Sequence, residues 1–88
     1  MQRINFEAGE QRHVKLRIHA TDNAPFTIRI AQWELCHGGE IESSGTCGIT
    51  EHTIDAFICP EKRVTYRLRI IYQIADETLV ELVEVAVT

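Results

Sequence analysis

From Val64 onward every second residue of the stretch Arg63 to Ile74 is large and apolar: Val64, Tyr66, Leu68, Ile70, Tyr72 and Ile74. The intervening positions open with Thr65, Arg67 and Arg69. A period of two sorts these side chains onto opposite faces of an extended strand, whereas at helical spacing the same residues would scatter round the cylinder. The stretch therefore reads as a long antiparallel strand with one buried face and one wet face. Gln11 to Ala20 repeats the rhythm, with Val14, Leu16, Ile18 and Ala20 on one side and His13, Lys15, Arg17 and His19 on the other.

Turn chemistry cuts the chain into short extended pieces. Ile4 and Phe6 mark a short opening strand, closed by Glu7-Ala8-Gly9-Glu10. Thr21-Asp22-Asn23-Ala24-Pro25 is a strong breaker. His37-Gly38-Gly39-Glu40 is the best hairpin signal, because two glycines supply positive φ at little steric cost. Glu40 to Thr50 reads as a ragged strand with a kink, Thr53 to Cys59 as a short strand, and Ala75-Asp76-Glu77 as the turn before a last strand from Thr78 to Val87. Two segments change phase. Phe26, Ile28 and Ile30 have one parity and Ala31, Trp33 and Leu35 the other, which a bulge near Ile30 reconciles. In the last strand Val80 and Leu82 share one face, and Val83, Val85 and Val87 the other. Either a bulge near Leu82–Val83 intervenes, or a neighbouring chain covers one of two apolar faces.

With 88 residues the chain has room for one domain, residues 1–88, and no segment shows convincing helical periodicity. Strands spaced roughly 8–12 residues apart between turns indicate an all-β, immunoglobulin-like antiparallel β-sandwich of about seven strands. The expected core is Val14, Leu16, Ile18, Trp33, Leu35, Ile54, Ile58, Val64, Tyr66, Leu68, Ile70, Tyr72, Val85 and Val87.

Charge and small size restrict the function. The net charge of −4, from 9 basic and 13 acidic residues without a basic tail, argues against nucleic acid as a partner. No apolar run approaches the roughly 20 residues of a membrane span, so no membrane partner is expected. The N-terminal residues lack an apolar signal core, and the chain reads as complete and made in the cytoplasm. So small a core leaves little chain to wall off a deep pocket, and neither an enzyme nor a cofactor is expected.

Four constellations carry chemistry. Cys36, Cys47, His52 and Cys59 are zinc-ligand types, but wide spacing between the cysteines argues against zinc, and an odd count with no signal peptide favours three free thiols serving as core filler. Nucleophilic catalysis has no local support, since Ser43-Ser44-Gly45 reads as a turn. The basic residues His13, Lys15, Arg17 and His19 on one strand, and Arg67 and Arg69 on another, form an anion-binding face if adjacent. The plainer reading pairs them with Glu34, Glu81 or Glu84. Leu79, Val80, Leu82 and Val83 are the expected interaction residues, because the last strand is apolar on both parities.

Segments along the whole chain resemble the small immunoglobulin-like domains of bacteriophage tail and baseplate proteins, including the N-terminal domain of baseplate upper proteins. They are Phe-Glu-Ala-Gly-Glu (Phe6 to Glu10), Ala-Pro-Phe-Thr-Ile (Ala24 to Ile28), Ala-x-Trp-x-Leu (Ala31 to Leu35), Tyr-Arg-Leu (Tyr66 to Leu68) and the Val-rich close. The resemblance implies a non-catalytic structural module of a phage or prophage virion, self-associating or docking on another protein, with no catalytic residues to carry over. Two rivals remain. One is a carbohydrate- or cell-surface-binding module, for which strand parity offers only Phe57 as an exposed aromatic. The other is a small zinc-binding regulator using Cys36, Cys47, His52 and Cys59.

Overall fold

A computed structural model describes residues 2–19 and 25–88. Eight strands follow in chain order: β1 (Gln2–Phe6), β2 (Arg12–Arg17), β3 (Ile28–His37), β4 (Glu40–Thr46), β5 (Gly48–Thr50), β6 (Thr53–Ile58), β7 (Thr65–Ile74) and β8 (Glu77–Val87). They form a five-stranded sheet in the order β1-β8-β7-β3-β4 and a three-stranded sheet in the order β2-β6-β5. The expected breaker at Thr21–Ala24 and the inward position of Ala20 lie outside the described residues.

This is the immunoglobulin arrangement. β8, β7 and β3 take the places of strands G, F and C, and β2, β6 and β5 those of B, E and D. β4 extends the first sheet as an added strand does in variable-type domains. The count exceeds the expected seven because β5 separates from β4 at Cys47. The sandwich is also not wholly antiparallel: β1 runs parallel to β8, with Gln2 opposite Val83 and Phe6 opposite Val87.

The alternation of β7 organises the core. Tyr66, Leu68, Ile70 and Tyr72 are buried, while Thr65, Arg67 and Arg69 are exposed. Opposite them on β8 stand Val85, Val83, Glu81 and Leu79. Phe6, Val14, Ile18, Ile28, Ala31, Trp33, Leu35, Ile54, Ala56 and Ile58 complete the buried cluster, with Leu16 only partly covered. Val64 departs from the expected core and is 38% exposed. It lies in the bend before β7, outside the extended backbone whose alternation would turn it inward.

The two phase breaks resolve differently. In β3 the register with β7 shifts between Ile28 and Ile30, so Ile28 and Ala31 are both buried and Ile30 is turned out. In β8 no shift occurs: the ladder from Thr65–Ala86 to Ile74–Glu77 is uninterrupted. The expected bulge at Leu82–Val83 is absent. Instead Glu81 takes an inward-phase position at the margin of the sandwich, where its carboxylate accepts a hydrogen bond from the Tyr72 hydroxyl at 3.4 Å.

Of the three two-residue hairpins, β3–β4 follows from its turn residues, while β5–β6 and β7–β8 hold the non-glycine residues Glu51 and Ala75 at positive φ. Gly38 and Gly39 have φ of 57° and 80°, the paired positive values of a type I′ turn, and they join β3 to β4. Ala75 takes φ of 54° at the first position of the two-residue turn between β7 and β8.

Candidate interaction surfaces

An irregularity in β4 builds the most connected polar cluster. The register with β3 runs from Leu35–Ser43 to Cys36–Ile41, leaving Glu42 as the extra residue of a bulge. Bulges re-aim side chains. The Glu42 carboxylate accepts the Tyr66 hydroxyl at 2.8 Å and the Glu61 amide at 3.3 Å. The Tyr66 oxygen in turn accepts the Lys62 N–H at 2.8 Å. A tyrosine near the start of strand F bonded to backbone a few residues upstream is the tyrosine corner of immunoglobulin-like domains. Here Glu42 extends it across to β4. His37 completes the group, with Nε2 at 3.8 Å from Glu42 and its ring edge-on to Tyr66 at 5.1 Å. Burial, reinforced by the hydrogen bond to Glu42, raises the Tyr66 pKa above its ordinary value. Sequence periodicity placed Tyr66 in the core but gave no sign of Glu42, because the bulge that turns it has no local sequence mark.

The interaction residues expected on β8 divide between the two faces. Val83 is 1% exposed and belongs to the core, and Leu79 shares its phase and packs partly against that core. The unbroken register turns both inward, which buries Val83 fully and Leu79 in part. Val80 and Leu82 point the other way, and Val80 is 48% exposed. Val80 stands opposite Ile71 and Leu82 opposite Arg69. Along the β8 edge β1 covers Val83–Val87, which leaves Glu77–Leu82 with no described strand on that side. What this strand offers a partner is that short edge segment and the outer face of the five-stranded sheet.

The basic residues do not share a face. Lys15 and Arg17 lie on β2 in the three-stranded sheet, and Arg67 and Arg69 lie on β7 in the other sheet. Arg69 pairs with Glu34 at 3.0 Å, while Glu84 is approached by Arg3 at 3.9 Å and Glu81 is engaged by Tyr72. His13 meets Asp55 at 2.8 Å and lies against Phe57, ring centroids 4.4 Å apart. Phe57 is 46% exposed.

The cysteine and histidine positions scatter. Cys36 is partly exposed on β3, Cys47 is buried between β4 and β5, and Cys59 is exposed after β6. His52 stacks on Phe26 at 4.0 Å and shares a hydrogen bond with its carbonyl at 3.1 Å. Among the described residues no three His, Cys, Asp or Glu side chains form a group able to hold a metal ion. No helix among them is long and apolar enough to cross a membrane.

Burial, and secondarily the nearby Asp55 charge, push the Cys47 thiol from 9.0 up to about 11. A folded-state pKa raised above the unfolded value means stability is intact below pH 9 and declines as the pH rises through 11. Urea midpoints are expected to hold steady up to about pH 9 and to fall between pH 9 and 11. Two pH units correspond to a loss of order 2–3 kcal/mol. Tyr66 and Tyr72, also raised chiefly by burial, steepen the fall above pH 10. Cys47→Ala is expected to flatten the first part of the decline, and an unchanged profile would contradict the assignment.

No family model and no curated protein matches the chain. A solved structure of an engineered protein is similar to it over 99% of this chain, with a TM-score of 0.76 and 17% sequence identity. The chain spans about 18% of that protein's length. At this identity the likeness speaks for the fold, and fold alone does not carry function.

Proposed function

We propose that the domain is a non-catalytic structural and interaction module, associating through the outer face of its five-stranded sheet with a second copy or with another protein. The observation that carries this reading is the unbroken β7–β8 ladder, which keeps Val80 and Leu82 pointing outward beside Ile71. Aliphatic side chains on a sheet face otherwise lined by Arg67, Arg69, Glu34 and Glu84 favour a covering surface, because burying them removes apolar area from water. The setting in a phage or prophage tail or baseplate rests on the run of motifs from Phe6 to the Val-rich close.

Light scattering across a concentration series tests the reading, alone and against the proteins encoded beside it. A mass that rises with concentration, or a stable complex with one such protein, is expected. In either case Val80→Lys should abolish the association. The same variant should change unfolding free energy by no more than about 0.5 kcal/mol, as for surface positions generally. A monomer that forms no complex with any of those proteins, or association indifferent to Val80→Lys, would contradict the proposal.

A second reading has one observation in its favour. The exposed Phe57 ring beside His13 offers a flat apolar platform of the kind that stacks on sugar rings. A glycan array would support it with hits lost in Phe57→Ala, and an array without hits would dismiss it.

A further inference from the structure

The three-stranded sheet has an open edge. In the constant-type immunoglobulin arrangement the first strand lies beside the second. Here β1 pairs with β8 in the other sheet instead, and β2 has β6 as its one neighbour. Arg12 ties the two strands at the near end, its guanidinium 4.1 Å over the Phe6 ring and donating to the Asn5 carbonyl at 2.6 Å. Beyond it β2 runs free.

Hydrogen-bond alternation identifies which backbone groups are unused. The Ile18 N–H donates to the His52 carbonyl at 2.8 Å, in line with the β2–β6 register. In an antiparallel ladder alternate residues direct both backbone groups to the same neighbour. Val14 and Leu16, in phase with Ile18, therefore bond to β6. His13, Lys15 and Arg17 direct their N–H and C=O groups outward, toward no described strand.

We infer that this edge accepts an extended acidic segment of a partner protein, which adds to the three-stranded sheet as a fourth strand. Three observations select that occupant. The first is space: a cleft of about 740 Å³ lies beside the edge, between Lys15–His19 on one wall and Tyr72 with Glu81–Val83 on the other. Alternate side chains of an added strand can enter it, and Leu16 and Val83 favour apolar ones. The second is charge. Lys15 and Arg17 are exposed and make no ion pair among the described residues, whereas His13 is engaged by Asp55. The third excludes the simplest alternative. Antiparallel pairing of β2 with β2 of a second copy would set basic side chains against one another, and like charges directly opposite are destabilising. Basic residues on an open edge also repel unselected strands. An acidic segment is the one that passes this filter, with main-chain bonds supplying affinity and alternate side chains supplying specificity.

The probe is a fluorescent peptide alternating Glu and Val, titrated into the full chain by anisotropy and into the ¹⁵N-labelled chain by NMR. Saturable binding is expected at low salt and weaker binding at high salt. Amide exchange should slow at His13, Lys15 and Arg17. A matched Lys-Val peptide, and a Glu-Val peptide N-methylated at alternate residues, should fail to bind. The double variant Lys15→Glu with Arg17→Glu should lose about tenfold or more in affinity, the scale of losing close charge pairs. Should that variant misfold, the exchange pattern of the unmodified chain and the N-methylated peptide decide the matter alone. Absence of binding, equal binding of the Lys-Val peptide, or contacts confined to Val80 and Leu82 would overturn the inference. So would a free protein whose three amides are already protected while its mass rises with concentration, since a second copy would then hold the edge.

Discussion

Leu68→Asp is expected to leave the chain unfolded at room temperature. Leu68 is 0% exposed, near the middle of β7, and its neighbours across the ladders are Leu35 and Val83, both buried. The basic side chain on that face, His37, is already set against Tyr66 and Glu42, and the nearest guanidiniums in sequence, Arg67 and Arg69, project from the opposite side of the sheet. An ionised carboxylate there has no partner. Protonation relieves the charge but still leaves a buried polar group unbonded and a leucine's packing lost. Together these cost roughly 5 kcal/mol or more, against a total stability of about 5–15 kcal/mol for a domain of ordinary stability. Arg69→Asp, one position along, is the control. It breaks an exposed pair with Glu34 and should cost about 1 kcal/mol or less. Far-ultraviolet circular dichroism and urea unfolding of the two variants check the facing assignment, and similar midpoints would refute it.

The second large effect separates a ring from its hydroxyl. Tyr66→Ala removes a fully buried aromatic side chain, for which the expected loss is about 3–5 kcal/mol. Tyr66→Phe keeps the ring and removes only the oxygen that joins Lys62 to Glu42. Its expected cost is about 1–3 kcal/mol, because the Lys62 amide and the half-buried Glu42 carboxylate each lose a partner. Glu42→Ala should cost a similar amount, since it strands the Tyr66 hydroxyl and the Glu61 amide. The two changes should not add: once the Tyr66 oxygen is gone, deleting Glu42 removes little more. Additive costs in urea unfolding would mean that the bulge in β4 does not serve to hold the corner.

These expectations show which parts of the fold were legible in the sequence. β7 declared itself because an apolar residue at every second position has one efficient burial, on one face of a sheet. The His37-Gly38-Gly39-Glu40 turn was legible because two adjacent positive φ values favour glycine. The phase break before Ala31 was legible because it inverted the parity of a long strand, and the register shift falls between Ile28 and Ile30. What escaped was information that periodicity does not carry. Parity says which side of its own sheet a residue faces, not which sheet it belongs to. Lys15 and Arg17 therefore could not be separated from Arg67 and Arg69 until the strand order was known. The parallel union of β1 with β8 left no local mark, having no turn to announce it. The β8 strand misled in a different way. Two apolar runs of opposite phase left a bulge and a second covered face both open, and an in-phase Glu81 at the margin lets one straight strand carry both runs. That is why Val83 proved to be core and Val80 and Leu82 surface.

β8 runs unbroken beside β7, and cross-strand nuclear Overhauser contacts test that directly. The hydrogen bond from the Val87 N–H to the Val64 carbonyl sets the alternation, making Arg67–Glu84, Arg69–Leu82 and Ile71–Val80 the close, non-hydrogen-bonded pairs. Strong Hα–Hα contacts are expected at all three. A contact series that slips by one residue between Leu82 and Val83 would instead put Val80 and Leu82 into the core phase, and with them would go the outward apolar face on which the proposed function depends.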